Sequence, residues 1–290
     1  MLVRLIINAD DFGLTRGVNR AIAELHDAGA VTSATLMASG AAFDDAVNLA
    51  LARPSLGIGC HIVLVDGIPV SDPATIPTLL GPDRRTFRTS LADFALGVLR
   101  GAITQADIQR EALAQIQKLQ RAGLKLTHAD THKHTHLLSR VSQPIIRALE
   151  QSGVRSIRNP FEPRWAASIG GSTRRSLFVR AFQPGRRRFE ASLPIASLQI
   201  LTTRGTIGIS ATGHLNSTTL NQLLERTPDG TWELVCHPGY NDHDLDAIST
   251  RLRTERETEL NALFAAFAKS SSNTLHPSGL QLIHYGELGG

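Results

Sequence analysis

Short apolar runs that end in polar or charged residues alternate along the chain with stretches whose apolar residues recur every three to four positions. That alternation is expected of an α/β fold in which helices wrap a parallel sheet. Seven or eight such units can be read, with strands expected over 5–9, 31–37, 57–64, 124–129, 156–159, 206–211, 232–236 and 280–284. Closure into a barrel is a natural solution for that number of units. Between the strands, Val18, Ile22 and Leu25 mark one apolar helix face, and Ile108, Ala112, Ile116 and Leu119 mark another. Thr104 and Asp107 open the second of these helices like a capping box. A long C-terminal helix is expected over 247–269, with Leu252, Leu260, Leu263, Phe264 and Phe267 to dock it.

Two stretches interrupt the alternation. Residues 65–87 carry four prolines and read as a long loop after the third strand, while 160–188 are rich in Gly, Ser and Arg. In barrels the loops at the C-terminal ends of the strands build the active site, so both stretches are candidate substrate-contacting elements. Length changes little, because 290 residues suit one α/β barrel as well as two ordinary domains. The absence of an internal repeat, a low-complexity tract or a composition boundary favours one domain over 1–290.

The 42% apolar content fits an ordinary globular protein. The formal net charge of +4 owes much to the arginines between 174 and 188. Mixed with apolar side chains, that stretch reads first as a solvated face and second as a peripheral contact with an anionic membrane surface or a phosphorylated substrate. No nucleic-acid motif accompanies it, so a nucleic-acid partner is not expected. Two cysteines give no disulfide framework, the apolar start over 2–7 is too short for a signal sequence, and no run of ~18 apolar residues occurs. A cytoplasmic location is the expectation, and a homo-oligomer is compatible with all of this.

The candidate chemistry gathers at the expected strand ends. Asn8-Ala9-Asp10-Asp11-Phe12-Gly13 ends the first strand in two adjacent carboxylates followed by a glycine that permits a tight turn. One carboxylate of such a pair can bind a metal while its neighbour acts as general base; the plainer alternative is a pair of solvated loop acids or a helix N-cap. The fourth strand runs into His128-Ala129-Asp130-Thr131-His132-Lys133-His134-Thr135-His136, four of the chain's 11 histidines within nine residues. In an extended segment His128, Asp130, His132, His134 and His136 would share one side, which concentrates ligands and acid/base groups. His61 after Gly59-Cys60 and His237 after Val235-Cys236 sit at two further strand ends, and alternation turns Cys60 and Cys236 away as small buried hydrophobes. Arg158 ends the fifth strand, where it can meet substrate hydroxyls or a carboxylate, and His214 ends the sixth, where it can line a pocket. These residues point to a metal site near the Asp pair and the histidine run without choosing its ligands.

With those motifs in place the chain closely resembles the YdjC-like carbohydrate deacetylase family, which includes chitooligosaccharide deacetylases and hopanoid-biosynthesis-associated members. The carriers are NADDFG at 8–13, VTSATLM at 31–37, GCH at 59–61, the D-x-H-x-H-x-H run at 130–136 and CHPG at 236–239. The resemblance implies a distorted TIM-type barrel and one divalent metal, Mg²⁺ or Zn²⁺, held by Asp11, His61 and His132. It matches Asp10 to the general base and His237 to the general acid, and it matches His134 and His136 to further family positions; together with Arg158 and His214, read from their strand ends, these two are the candidate substrate contacts. The activity implied is hydrolysis of the acetamide of an N-acetylated saccharide, with the segment over 64–70 resembling the hopanoid-associated members and hence a glycolipid. Two alternatives stay open at this point: another metal-dependent barrel hydrolase acting on a phosphoester or cyclic amide, and a non-catalytic sugar- or lipid-binding barrel.

Overall fold

A computed structural model describes residues 2–169, 173–193, 199–248, 250–267 and 279–289. The first strand, β1 (Val3–Phe12), runs through the core, and α1 (Arg16–Asp27) follows behind an N-cap in which Thr15 accepts from the Val18 amide. Next come β2 (Ser33–Leu36), α2 (Phe43–Leu51) and β3 (Gly57–Ile62). After a long excursion, α3 (Leu91–Arg100) and α4 (Gln105–Arg121) lead to β4 (Leu126–Thr131) and α5 (Ser139–Ser152). Three short helices, α6 (Arg164–Ala167), α7 (Thr173–Phe182) and α8 (Arg186–Ser192), precede β5 (Thr206–Ile207). The chain ends in α9 (Ser217–Arg226), β6 (Gly230–Cys236), α10 (Thr254–Phe267) and β7 (Leu280–Leu282).

All paired strands are parallel, in the order β4-β3-β2-β1-β6-β5, and β7 lies beside the first residues of β1. The sheet curls into a distorted barrel. Beyond β4 it continues as single parallel bridges, Ala129 to Ile157 and Ser156 to Leu201, so the expected fifth strand is a bridge instead of a ladder. The two edges are tied by Thr206 Oγ1 donating to the Asn159 carbonyl at 2.7 Å and Asn159 Nδ2 donating to the Thr203 carbonyl at 3.1 Å. Apolar side chains of β1 to β4, including Leu5, Ile7, Ile58 and Ile62, pack against the inner faces of α1, α4 and α5 to form one continuous core.

Four expectations change. The described residues of 160–188 hold three short helices instead of a loop, the third running on to Ser192; residues 170–172 and the side chains of Arg174 and Arg175 lie outside the described residues. The C-terminal helix starts at Thr254, because 243–247 form a separate 3-10 turn, and 268–269 lie outside the described residues. The Thr104 hydroxyl caps α4 as expected, but the Asp107 carboxylate turns to the Thr78 amide and hydroxyl, pinning the 65–87 segment to the helix. The histidine run does not stay extended. It winds into 3-10 turns over His132–Leu137 with Lys133 and His134 at positive φ, so strand alternation ends at Thr131.

Candidate active site

The C-terminal ends of β1, β3, β4 and β6 converge because their registers fix which residues are neighbours. His61 pairs with Asp130 across β3 and β4, and Ala9 pairs with Cys236 across β1 and β6, which brings Asp10 beside His237. At the end of β1 the register shifts between Ala9 and Phe12, and Asp11 takes the left-handed conformation with φ 65°. This bulge, and not a loop, lets two consecutive carboxylates reach one site. Gly59 is required for another reason: a Cβ there would stand 2.5 Å from the His128 ring. That ring stacks on Tyr285 and meets Asn8 Oδ1 through Nε2 at 3.0 Å.

Asp10 is buried and gripped by a guanidinium fork, with Arg158 Nη1 at 2.8 Å from Oδ2 and Nη2 at 2.6 Å from Oδ1. Burial alone would push its carboxyl upward, but Arg158, helped by His61 and His237, holds it far below the usual carboxylate range. Asp11 is buried too, and its two oxygens are divided. Oδ2 accepts from Arg256 Nη2 at 2.6 Å, while Oδ1 lies 3.5 Å from both His61 Nε2 and His132 Nδ1. Against the upward push of burial, Arg256 and His132 keep Asp11 ionised well below its ordinary range.

His61 Nδ1 meets Asp130 Oδ1 at 2.7 Å, which aims Nε2 at His132 Nδ1, 3.3 Å away. Burial would lower the His61 pKa, yet Asp130 outweighs it and raises it to about 9. His132 is half-buried, and burial leaves it below the ordinary imidazole value despite Asp11. A carboxylate behind a histidine in this way fixes the tautomer that a metal ligand needs.

The donor set fits a metal ion. Asp11, His61 and His132 each offer an atom within one small cluster, mutually 3.3–3.5 Å apart. An ion held at about 2.0–2.2 Å by nitrogen and oxygen at tetrahedral or right-angled spacing needs donors roughly 3.0–3.5 Å apart. A second cluster, Asp10, His61 and Asp130, also offers donors within reach of one another, but Arg158 already fills it. Buried Arg158 touches Asp10, Asp130 at 2.5 Å and Glu233 at 2.7 Å, and Tyr285 donates to the same Glu233. Arg158 therefore faces carboxylates of the protein and has no exposed surface for a substrate, contrary to the sequence expectation.

The remaining expected residues separate. His237 is slightly exposed, with Nε2 3.8 Å from Asp10 Oδ2 and Nδ1 without a hydrogen-bond partner among the described residues. His134 is half-buried at the mouth, at positive φ, with Nδ1 unpartnered among the described residues; burial and then Arg158 depress its pKa strongly. His136 is fully buried against Thr131 Oγ1 and the Arg158 carbonyl, and burial with Arg158 holds it near about 3, so it supports the turn and does not reach the mouth. His214 lies exposed on the turn after β5. Sequence reasoning passed over Glu233, Arg256 and Glu259. Their signal was a charged residue in an otherwise apolar strand and a charged pair in the apolar stripe of the C-terminal helix.

The YdjC-like protein family model matches residues 4–270. Over 288 residues the chain is 33% identical to a carbohydrate deacetylase of Brevibacillus brevis, spanning 99% of this chain and 100% of that one. A human carbohydrate deacetylase is 34% identical over 251 residues, spanning 82% of this chain and 75% of its own length. Among solved structures, an Enterococcus faecalis V583 protein provisionally named for cellobiose-phosphate cleavage superposes with a TM-score of 0.77 over 99% of both chains at 22% identity, a likeness of fold.

Proposed function

Because the chain belongs to the YdjC-like protein family, we propose that it hydrolyses the acetamide of an N-acetylated saccharide, releasing acetate, with a divalent ion held by Asp11, His61 and His132. The observation that carries this reading is the triangle of donor atoms 3.3–3.5 Å apart, two of whose three members are backed by a further group: Arg256 behind Asp11 and Asp130 behind His61. A divalent ion there supplies electrophilic activation of water and of the acetamide carbonyl. Two imidazoles and one carboxylate suit Zn²⁺ on ligand grounds, whereas Mg²⁺ favours oxygen-rich coordination, so both ions enter the test.

The protein groups divide the proton work. Arg158 keeps Asp10 ionised and fixed in orientation, ready to accept a proton from the attacking water although intrinsically a weak base. His237, facing Asp10 from the far side and open to the mouth, is placed to hand a proton to the departing sugar amine. His134 and His214 are the mouth residues proposed to meet sugar hydroxyls, whether the saccharide is free or lipid-linked. No helix among the described residues is long and apolar enough to cross a membrane. The test is acetate release from N-acetylated oligosaccharides and glycolipids by protein loaded with Mg²⁺ or Zn²⁺. Release from at least one of them is expected, and no release across the set with either ion would sink the reading.

A further inference from the structure

The helix α10 contributes nothing to the ligand triangle, yet two of its charged residues are buried at the site. Arg256 and Glu259 are each 1% exposed and stand three positions apart, so both project from one face. Burying a charge is costly unless it is paired. Both are paired with the parts of the site that must be aimed.

Arg256 is held at its root by Nε donating to the Leu252 carbonyl at 3.2 Å, and its stem passes Gly239, where a Cβ would stand 3.0 Å from Cδ. From there Nη2 takes Asp11 Oδ2 at 2.6 Å and leaves Oδ1 facing the two imidazoles. Glu259 spends both oxygens on backbone amides of different segments: Oε2 accepts from His237 N at 2.6 Å and Oε1 from Gly213 N at 2.8 Å. Its Oε2 also lies 4.0 Å from His237 Nδ1, the ring nitrogen that has no hydrogen-bond partner among the described residues. The histidine proposed as acid is thereby fixed at its backbone, and the turn that leads to His214 is fixed with it.

We propose that α10 carries the positioning pair of the site, in which Arg256 makes Asp11 a single-oxygen ligand and Glu259 sets the place of His237. This rests on the functional reading above. It differs from simple charge balance in the sign of its consequence. A guanidinium that only neutralised Asp11 would oppose a cation, and its removal would tighten ion binding. A guanidinium that orients Asp11 has the opposite effect, because a freed carboxylate rotates and loses its aim.

Calorimetric titration of Mg²⁺ and Zn²⁺ into the full chain separates the two. Arg256→Met is expected to weaken ion binding at least tenfold, with Arg256→Lys recovering part of the loss. Unchanged or tighter binding in Arg256→Met overturns the role of Arg256. If circular dichroism shows that Arg256→Met does not fold, Arg256→Lys decides, with weaker binding than wild type expected and equal or tighter binding fatal. Glu259→Gln is expected to keep ion affinity within twofold, lower kcat for acetate release at least tenfold and leave KM within threefold. A retained kcat, or a loss shared equally by KM, overturns the role of Glu259; Glu259→Asp replaces it if the Gln variant is unfolded. A wild-type chain that binds neither ion refutes the functional reading and this inference with it, whereas a wild type that binds beside an unaffected Arg256→Met refutes the inference alone.

Discussion

Asp10 and Asp11 are neighbours in sequence, yet each is claimed by a different guanidinium, Arg158 for one and Arg256 for the other. Their roles separate for that reason. Asp10→Asn keeps the shape of the site but removes the charge proposed to accept a proton. Turnover is expected to fall by about 10²–10⁴-fold, the usual worth of a positioned base, while calorimetry shows ion binding retained. Full activity in that variant would remove Asp10 from the mechanism. Arg158 makes a different prediction, because three buried carboxylates converge on it. Arg158→Met leaves them uncompensated and is expected to destabilise the fold by about 3–5 kcal/mol. Urea unfolding measures this, and a loss under about 1 kcal/mol would mean that the carboxylates find other partners. The pairing of Asp10 with Asp11 was legible in the sequence. Which guanidinium each would meet was not, since Arg158 and Arg256 lie far along the chain from both.

At the scale of elements, the long segment after β3 is held by side chains of α4. Gln115 Oε1 accepts from Val63 N and its amide donates to the Val63 carbonyl, while Glu111 accepts from Val70 N, Ser71 N and Gln115 Nε2. Asp107 does the same for Thr78. On the mouth side, Lys133 Nζ reaches Asp66 Oδ2 at 2.6 Å, joining this segment to the histidine turn. Glu111→Ala removes the acceptor for buried amides and is expected to cost about 1–3 kcal/mol in thermal or urea unfolding. KM should rise in that variant as the segment loosens over the mouth, and an unchanged KM would detach the segment from substrate binding. The turn after β5 is held in the same manner: Glu162 accepts from Gly208 N and Ser210 N, and burial lifts its carboxyl to about 7. The long polar stretch was legible as a candidate mouth element, but its anchors were not, because single Glu, Gln and Asp residues on a helix look like solvated positions until the tertiary fold buries them.

For the whole molecule, the buried polar network sets how the fold responds to acid. His136 is held near about 3 and His128 well below its ordinary value, both chiefly by burial, so each stays neutral when folded. The unfolded chain takes up these protons as pH falls through about 6.5, and the folded chain does not. The contribution of these two histidines is therefore full above that pH and declines below it, by up to about 1.4 kcal/mol per pH unit for each; Glu162, lifted to about 7, and His61, raised to about 9, act in the opposite sense and lose their contributions as pH rises through those values. Asp10 and Asp11, whose folded values are depressed, add to the loss only below about 4. Urea unfolding at pH 7 and pH 5 checks the sign, and equal stabilities at the two values would contradict it. The same network sits where the curled sheet brings its strand ends together, and there the sequence and the fold share the decision. Hydrophobic periodicity and strand-end polar residues by themselves determined the parallel α/β class, most strand positions and the gathering of Asp10, Asp11, His61, His132 and His237 at one end, because these are local patterns repeated along the chain. Only tertiary structure decided that Arg158 and His136 are buried supports, that the histidine run coils instead of alternating, and that α10 reaches back to the end of β1. Those outcomes depend on which distant groups compensate a buried charge, and no local pattern encodes that.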